Sequence, residues 1–285
     1  MYWVWVLHVR LYSGNEGCFL SDLIVVAEFP SCVCVWLHAM SVASEVSSFP
    51  VANAHLQALT LLSLLSRVLV AALIISSTYL LTLFDSSPRL VLSTAPPWIS
   101  SLFRWDAFHF ARVAQEGYAH EHAWAFFPGL PFIIRTSEHL LSRAGLNTPD
   151  VAAPLLGAAV FAALFDSTQV LYHLSLHHLR SPSAAFLAAA LSLLSSSPAT
   201  LRFAPYSEPF FTYCSYRGMW SCAHSQWFCA SVWFTLATTF RSNGIFLSGF
   251  IMWGMLVAPC LSARKDLVSV YPRASGVLMD RQPPF

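Results

Sequence analysis

Charge is what this sequence has least of. Only 10% of its 285 residues are Asp, Glu, Lys or Arg, where an ordinary soluble domain carries about 25%. So few charges cannot cover a water-facing surface, and 56% of the residues are hydrophobic, with a mean hydropathy of +0.58. Lipid must therefore be the solvent for much of the chain. Lysine is nearly missing: Lys265 is the only one among fifteen basic residues, and the rest are Arg. Arginine snorkels and grips phosphate, so the bias suits a membrane protein. There is no basic stripe and the net charge is +1, which argues against a nucleic-acid partner. Nor is there a cysteine framework. Cys32 and Cys34 stand too close for an ordinary bridge and lack partners at zinc spacing. Cys214, Cys222 and Cys229 lie among aromatics and read as small apolar packers.

A helix needs about 20 apolar residues to cross a bilayer. Five stretches meet or approach that: 57–84, where Arg67 is the one charge; 152–171, provided Asp166 faces other helices; 183–201, up to Pro198; 226–240, short but aromatic-rich; and 244–262. The expectation is an all-α polytopic bundle over residues 51–262, with 85–151 as its large first loop. Residues 1–50 read as a divergent N-terminal segment. Their opening, MYWVWVLHVRLYSG, lacks the basic start of a signal peptide, and 19–43 are apolar but carry Asp22, Glu28 and Pro30. Residues 263–285 read as a polar, disordered tail with Pro272, Pro283 and Pro284. Loop 85–151 holds five Arg but exceeds the length at which the positive-inside rule works, so physics alone leaves the orientation open.

Polar chemistry gathers in three connectors. In the first, WDAFHFARVAQEGY reads as a short helix, with Asp106 as N-cap and Gly117 as terminator. Trp105, Phe108 and Phe110 suit a membrane interface. Asp106 and His109, three apart, point toward one site, or serve only as a cap and an interface histidine. The following YAHEHAWAFFPGLPF reads as a buried re-entrant segment, and its His120, Glu121 and His122 point apart, which disfavours a metal. In the second connector, RFAPYSEPFF, Glu208 sits between Pro205 and Pro209, where a carboxylate near a bilayer must be used or paired. In the third, FRSNGIF, Arg241, Ser242 and Asn243 form either a turn with Gly244 or a site for phosphate or sugar hydroxyls.

These three clusters, in this order, resemble the PIG-V mannosyltransferase family of glycosylphosphatidylinositol (GPI) anchor synthesis. The carrying blocks are RWDAFHFARVAQEGY with HEHAWAFFPGLP, SPATLRFAPYSEPFF and LATTFRSNGIF, and FDSSPRL (84–90) matches a further family segment. The likeness covers roughly residues 57–256. Residues 1–50, the tail after Val257, Arg202 and the stretch TYCSYRGMWSCAHSQ (212–226) depart from the pattern. Family members are longer, with further spans, so a truncated or imperfectly predicted chain is expected.

The resemblance implies a multi-pass endoplasmic-reticulum enzyme of the GT-C class, with the first loop lumenal. It implies transfer of an α1,6-linked second mannose from dolichol-phosphate-mannose to the mannosyl-glucosaminyl-phosphatidylinositol intermediate. Inversion at the sugar carbon needs one displacement and one carboxylate base. Asp106 is then expected as that base, with His109 orienting it or binding the donor phosphate. Glu121 and Glu208 would bond sugar hydroxyls, Arg241 would neutralise phosphate, and Trp105, Phe126, Phe127, Pro128, Tyr206, Ser207 and Asn243 would line the substrates. No metal and no cofactor is expected, and a small membrane partner subunit is. The competing expectations are a transporter, with Arg67 and Asp166 along its pathway, and an inactive fragment or assembly subunit of the enzyme.

Overall fold

The computed structural model describes residues 50–81, 96–100, 103, 106–146, 151–194 and 204–261. Among them there is no strand, and three helical stretches are long and apolar enough to cross a membrane: Val51–Leu80, Ala152–Leu179 and Ser242–Leu261. The chain is an all-α polytopic membrane protein. The stretches expected at 183–201 and 226–240 coincide with shorter apolar helices, Pro182–Ser192 and Trp227–Phe240. The expectations for Cys32 and Cys34, for 84–90 and for the tail lie outside the described residues.

Helix α1 (Pro50–Leu80) shows two faces. Leu61, Leu65, Leu69 and Leu73, spaced by four, are all at least 60% exposed, an outward stripe suited to hydrocarbon rather than water. Leu59 and Ser63 are buried. Leu59 packs with Tyr172, Ala185 and Ala189 of two later helices.

The short α2 (Asp106–Glu116), α3 (Gly129–Arg143) and α4 (Ala152–Leu164) build the main core. Small residues let them approach: Ala107, Ala111 and Ala114 meet Leu130, Ile134, Leu155, Ala158 and Ala162. A Cβ on Gly157 would lie 2.8 Å from that of Ser137, so α3 and α4 touch nearly backbone to backbone. The expected first loop is therefore, in its second half, a packed helical layer. Gly117 does end α2, with φ +74° and its N–H on the Val113 carbonyl.

The expected span at 152–171 is broken. Phe165 leaves helical geometry, and α5 (Ser167–Leu179) starts afresh under an Asp166 cap that accepts the Thr168 N–H at 3.0 Å. A break strands the last carbonyls of one helix and the first N–H groups of the next. Here α1 supplies partners: Arg67 donates to the Ala163 carbonyl at 2.6 Å and pairs with Asp166 at 3.5 Å, while Ser63 donates to Asp166 at 2.7 Å. Asp166 thus faces other helices, as the sequence required.

Helix α6 (Pro182–Ser192) returns along α5 after an Arg180 in the left-handed region. Helix α7 (Glu208–Ala223) then runs parallel to α5. Phe165 meets Phe210 and Tyr213 near its start, and His177 meets Trp220 and His224 near its end. Helix α8 (Trp227–Phe240) comes back antiparallel, seated where Gly218 leaves room for the Phe234 ring. The last stretch is a 3₁₀ helix (Ser242–Leu247), α9 (Ser248–Met252) and a π-helical turn at Trp253–Val257. A Cβ on Gly254 would lie 2.0 Å from the Trp227 indole, so the widened turn is where that ring lodges.

Candidate active site

Asp106 opens α2 in its first turn, and Trp105 before it lies outside the described residues. The carboxylate is exposed beside the free N–H groups of the first turn, a favourable place for negative charge. No described residue bonds it. His109, one turn on, is also exposed and stacks on Phe126 at 5.0 Å and 15°.

Phe126 is pinned from several sides. Phe110 meets its ring edge-on at 5.1 Å, and the Tyr118 hydroxyl donates to its carbonyl at 2.8 Å. Burial pushes the Tyr118 phenol above its ordinary range, so it remains a donor. The Tyr118 ring in turn stacks on Trp124 at 5.1 Å. From α3, Arg135 donates to the Ala114 carbonyl at 2.9 Å, answering an orphan group at the end of α2.

The connecting segment is not a buried re-entrant loop. Glu121–Ala125 is a single 3₁₀ helix in which Glu121, both flanking histidines and Trp124 are exposed and only Ala123 is buried. Three consecutive polar side chains on so tight a helix cannot all face inward. His120 and His122 stack at 5.5 Å, yet among the described residues no three metal-ligating side chains gather. A shallow groove runs between His109, Arg112 and Gly117 on one side and His120, His122 and Phe126 on the other. Phe127 is half-buried and Pro128 exposed, just ahead of α3.

The second and third clusters meet. Glu208 opens α7, half-buried, and its carboxylate takes an ion pair from Arg241, which sits in extended geometry between α8 and the 3₁₀ helix. Buried Ser207 donates to the other Glu208 oxygen at 3.4 Å. The Arg241 guanidinium lies 5.9 Å from the Phe211 ring. The sequence reading gave Glu208 to sugar hydroxyls and Arg241 to phosphate; the structure has each charge answering the other. With side chains 38% and 32% exposed, the pair is still open to solvent. Tyr206, two residues before Glu208, is half-buried, and Asn243, two residues after Arg241, is exposed.

The first cluster joins them through residues that sequence reasoning passed over. At the head of α3, a Cβ on Gly129 would lie 2.7 Å from the Phe240 ring and 2.8 Å from the Thr239 carbonyl. Phe240 stacks on Phe210 at 5.0 Å and 11°, and Phe210 shares a core with Phe110 of α2. Three segments far apart in sequence thus converge on one aromatic stack. The only forewarning was the glycine directly after AFFP.

Gly244 is needed for a different reason. Its would-be Cβ lies 2.6 Å from backbone atoms of Thr238. Gly244→Ala should therefore lower stability by about 1–3 kcal/mol through overpacking and loosen the turn holding Arg241. Thermal unfolding in detergent, against wild type, measures this; an unchanged midpoint would show that the contact can relax. Burial pushes the Cys214 thiol up to about 12, so that thiol stays protonated.

The family model described as Mannosyltransferase (PIG-V) matches residues 44–265. A GPI mannosyltransferase 2 from Cryptococcus neoformans var. neoformans is 36% identical over 206 residues, covering 70% of this chain and 47% of that one. GPI alpha-1,6-mannosyltransferase 2 from Rattus norvegicus is 32% identical over 58% of this chain and 34% of its own length. For the Homo sapiens protein of that name the values are 31%, 54% and 31%. The chain thus spans less than half the length of these curated relatives. No solved structure matches it.

Proposed function

Because this chain belongs to the mannosyltransferase (PIG-V) family, we propose that it acts in the endoplasmic-reticulum membrane, on the lumenal side, as the transferase that adds the second mannose of the GPI anchor. The donor is dolichol-phosphate-mannose and the acceptor is the one-mannose glucosaminyl-phosphatidylinositol lipid. The observation that supports this most is the convergence of the three family blocks on the Phe210–Phe240 stack, next to the Glu208–Arg241 pair. A scatter of the same motifs over unrelated faces would have argued for shared ancestry without shared chemistry.

In this reading Asp106 removes the proton from the acceptor hydroxyl as that oxygen attacks the anomeric carbon. The C–O bond to the dolichol phosphate breaks, and the phosphate leaves with its electron pair. A phosphate is already a good leaving group, so one base suffices. The exposed Asp106 carboxylate is accessible for that task, and the exposed His109, stacked on Phe126, would orient it or meet the phosphate. Glu121, Trp124, Phe127 and Pro128 offer hydroxyl partners and apolar faces along the same connector, with Trp105 just ahead of α2. A small partner subunit and the GT-C architecture belong to this proposal. The transporter alternative is disfavoured, because Arg67 and Asp166 answer each other and cap a helix break.

Expression in cells lacking the second GPI mannosyltransferase should restore surface GPI-anchored proteins and convert the one-mannose intermediate to the two-mannose lipid. An inserted, normally abundant chain that leaves the intermediate unchanged would overturn the assignment for this chain.

A further inference from the structure

Among the described residues Arg135 donates to a backbone carbonyl and Arg143 and Arg180 are exposed, while three arginines have carboxylates: Arg67 has Asp166, Arg112 has Glu116 and Arg241 has Glu208. Arg217 on α7 does not. Among the described residues no carboxylate lies within ion-pair distance of it, although it is half-buried. It sits in the 212–226 stretch, which departs from the family pattern. Its Nε donates to the Tyr213 hydroxyl at 3.1 Å. Its guanidinium lies 5.4 Å from the Tyr213 ring and 5.9 Å from the Trp233 ring of α8. Those two rings meet edge-on at 6.0 Å, so the cage is walled from both helices of the hairpin.

The neighbouring helix makes the position stranger. It supplies His173, whose buried Nδ1 has no hydrogen-bond partner among the described residues. Arg217 stands nine residues beyond Glu208, roughly 13 Å along α7, level with the 28-residue stretch Ala152–Leu179. A charge beside a membrane-crossing segment is retained where it has a partner or a task, and two aromatic faces neutralise none of it.

With Nε engaged, the two terminal nitrogens remain as a planar fork, the geometry that takes two phosphate oxygens at once. The partner must also reach this place. Val232 and Leu236, near Trp233 on α8, are exposed apolar side chains, a face suited to hydrocarbon rather than water. A soluble anion would have to leave water to arrive there, whereas a lipid phosphate brings its own hydrocarbon. We propose that Arg217, caged by Tyr213 and Trp233, binds the phosphate of a lipid-linked ligand. This rests on the transferase reading in one respect, that such a protein handles lipid phosphates.

The test is binding, so its failure leaves the transferase reading to its own experiment. The full chain, purified in detergent, is titrated with citronellyl phosphate, phosphatidylinositol, citronellol and inorganic phosphate while its melting temperature is followed. One or both lipid phosphates should raise the melting temperature saturably, and Arg217→Met should weaken that binding about 10–100-fold, the worth of a charge-assisted hydrogen bond. The variant without ligand should melt at or above the wild-type temperature, because an unanswered charge has gone. Preference for citronellyl phosphate marks an isoprenoid monoester as the source, and preference for phosphatidylinositol marks a glycerolipid diester. The proposal fails if neither lipid phosphate shifts the wild type, or if citronellol or inorganic phosphate shifts it equally. It fails too if the shift survives in Arg217→Met. Should the Met variant not fold, Arg217→Lys keeps the charge without the fork, and undiminished binding by it would overturn the bidentate contact.

Discussion

On the proposed transferase reading, Asp106→Asn should leave a folded, inserted protein whose mannose transfer is slower by about 10²–10⁴, the usual worth of a general base. The two outcomes can be separated because of where the side chain sits. Its carboxylate is exposed at the first turn of α2 and no described residue bonds it. Losing its charge removes only a helix-dipole contribution of about 0.3–1 kcal/mol. A large loss of turnover with an unchanged melting temperature is therefore a statement about chemistry. Product formation from dolichol-phosphate-mannose in microsomes, at matched protein level, measures it. Near-normal turnover would remove Asp106 from the reaction and turn attention to Glu208, whose pairing with Arg241 would then have to open during the cycle.

The second large effect concerns stability. Arg67→Met leaves the Asp166 carboxylate without its cation, and Asp166→Asn leaves Arg67 as a bare charge between helices. Their side chains are only 16% and 25% exposed, and breaking such a pair from one side costs about 3–5 kcal/mol. Both single variants should melt well below wild type. The double variant should recover most of the loss, since neither charge then remains and Asn can still cap α5. Recovery stays incomplete because the Ala163 carbonyl loses its Arg67 donor, worth about 1 kcal/mol. Additive losses in the double variant would show that the residues act separately, as side chains lining a pathway would.

How much of this was legible beforehand follows from which interactions are local. The stop at Gly117, the α1 span and the inward-facing Asp166 follow from a hydrophobic run or from one residue's geometry, and the sequence carries them directly. The break at Phe165–Asp166 was missed because its compensation comes from Arg67 and Ser63 on another helix. No window of 152–171 contains that information. The buried re-entrant reading of 118–132 over-weighted its aromatics: Tyr118, Ala123 and Phe126 are held, while the histidines between Tyr118 and Ala123 are exposed. In the candidate site, the residue types were legible as motifs. Their arrangement was not, because Gly129 against Phe240 and Glu208 against Arg241 are contacts between segments remote along the chain.

That last ion pair ties the first residue of α7 to the residue directly after α8, so the hairpin between them begins and ends at the same point. A segment fastened at its own mouth needs little from the rest of the molecule to keep its two ends in register. Its far turn, at Ser225 with φ +59°, is mechanically remote from that fastening. Length and composition can drift at the tip while the mouth keeps its geometry, and an Arg217 can appear on the way down without disturbing the charges at the top.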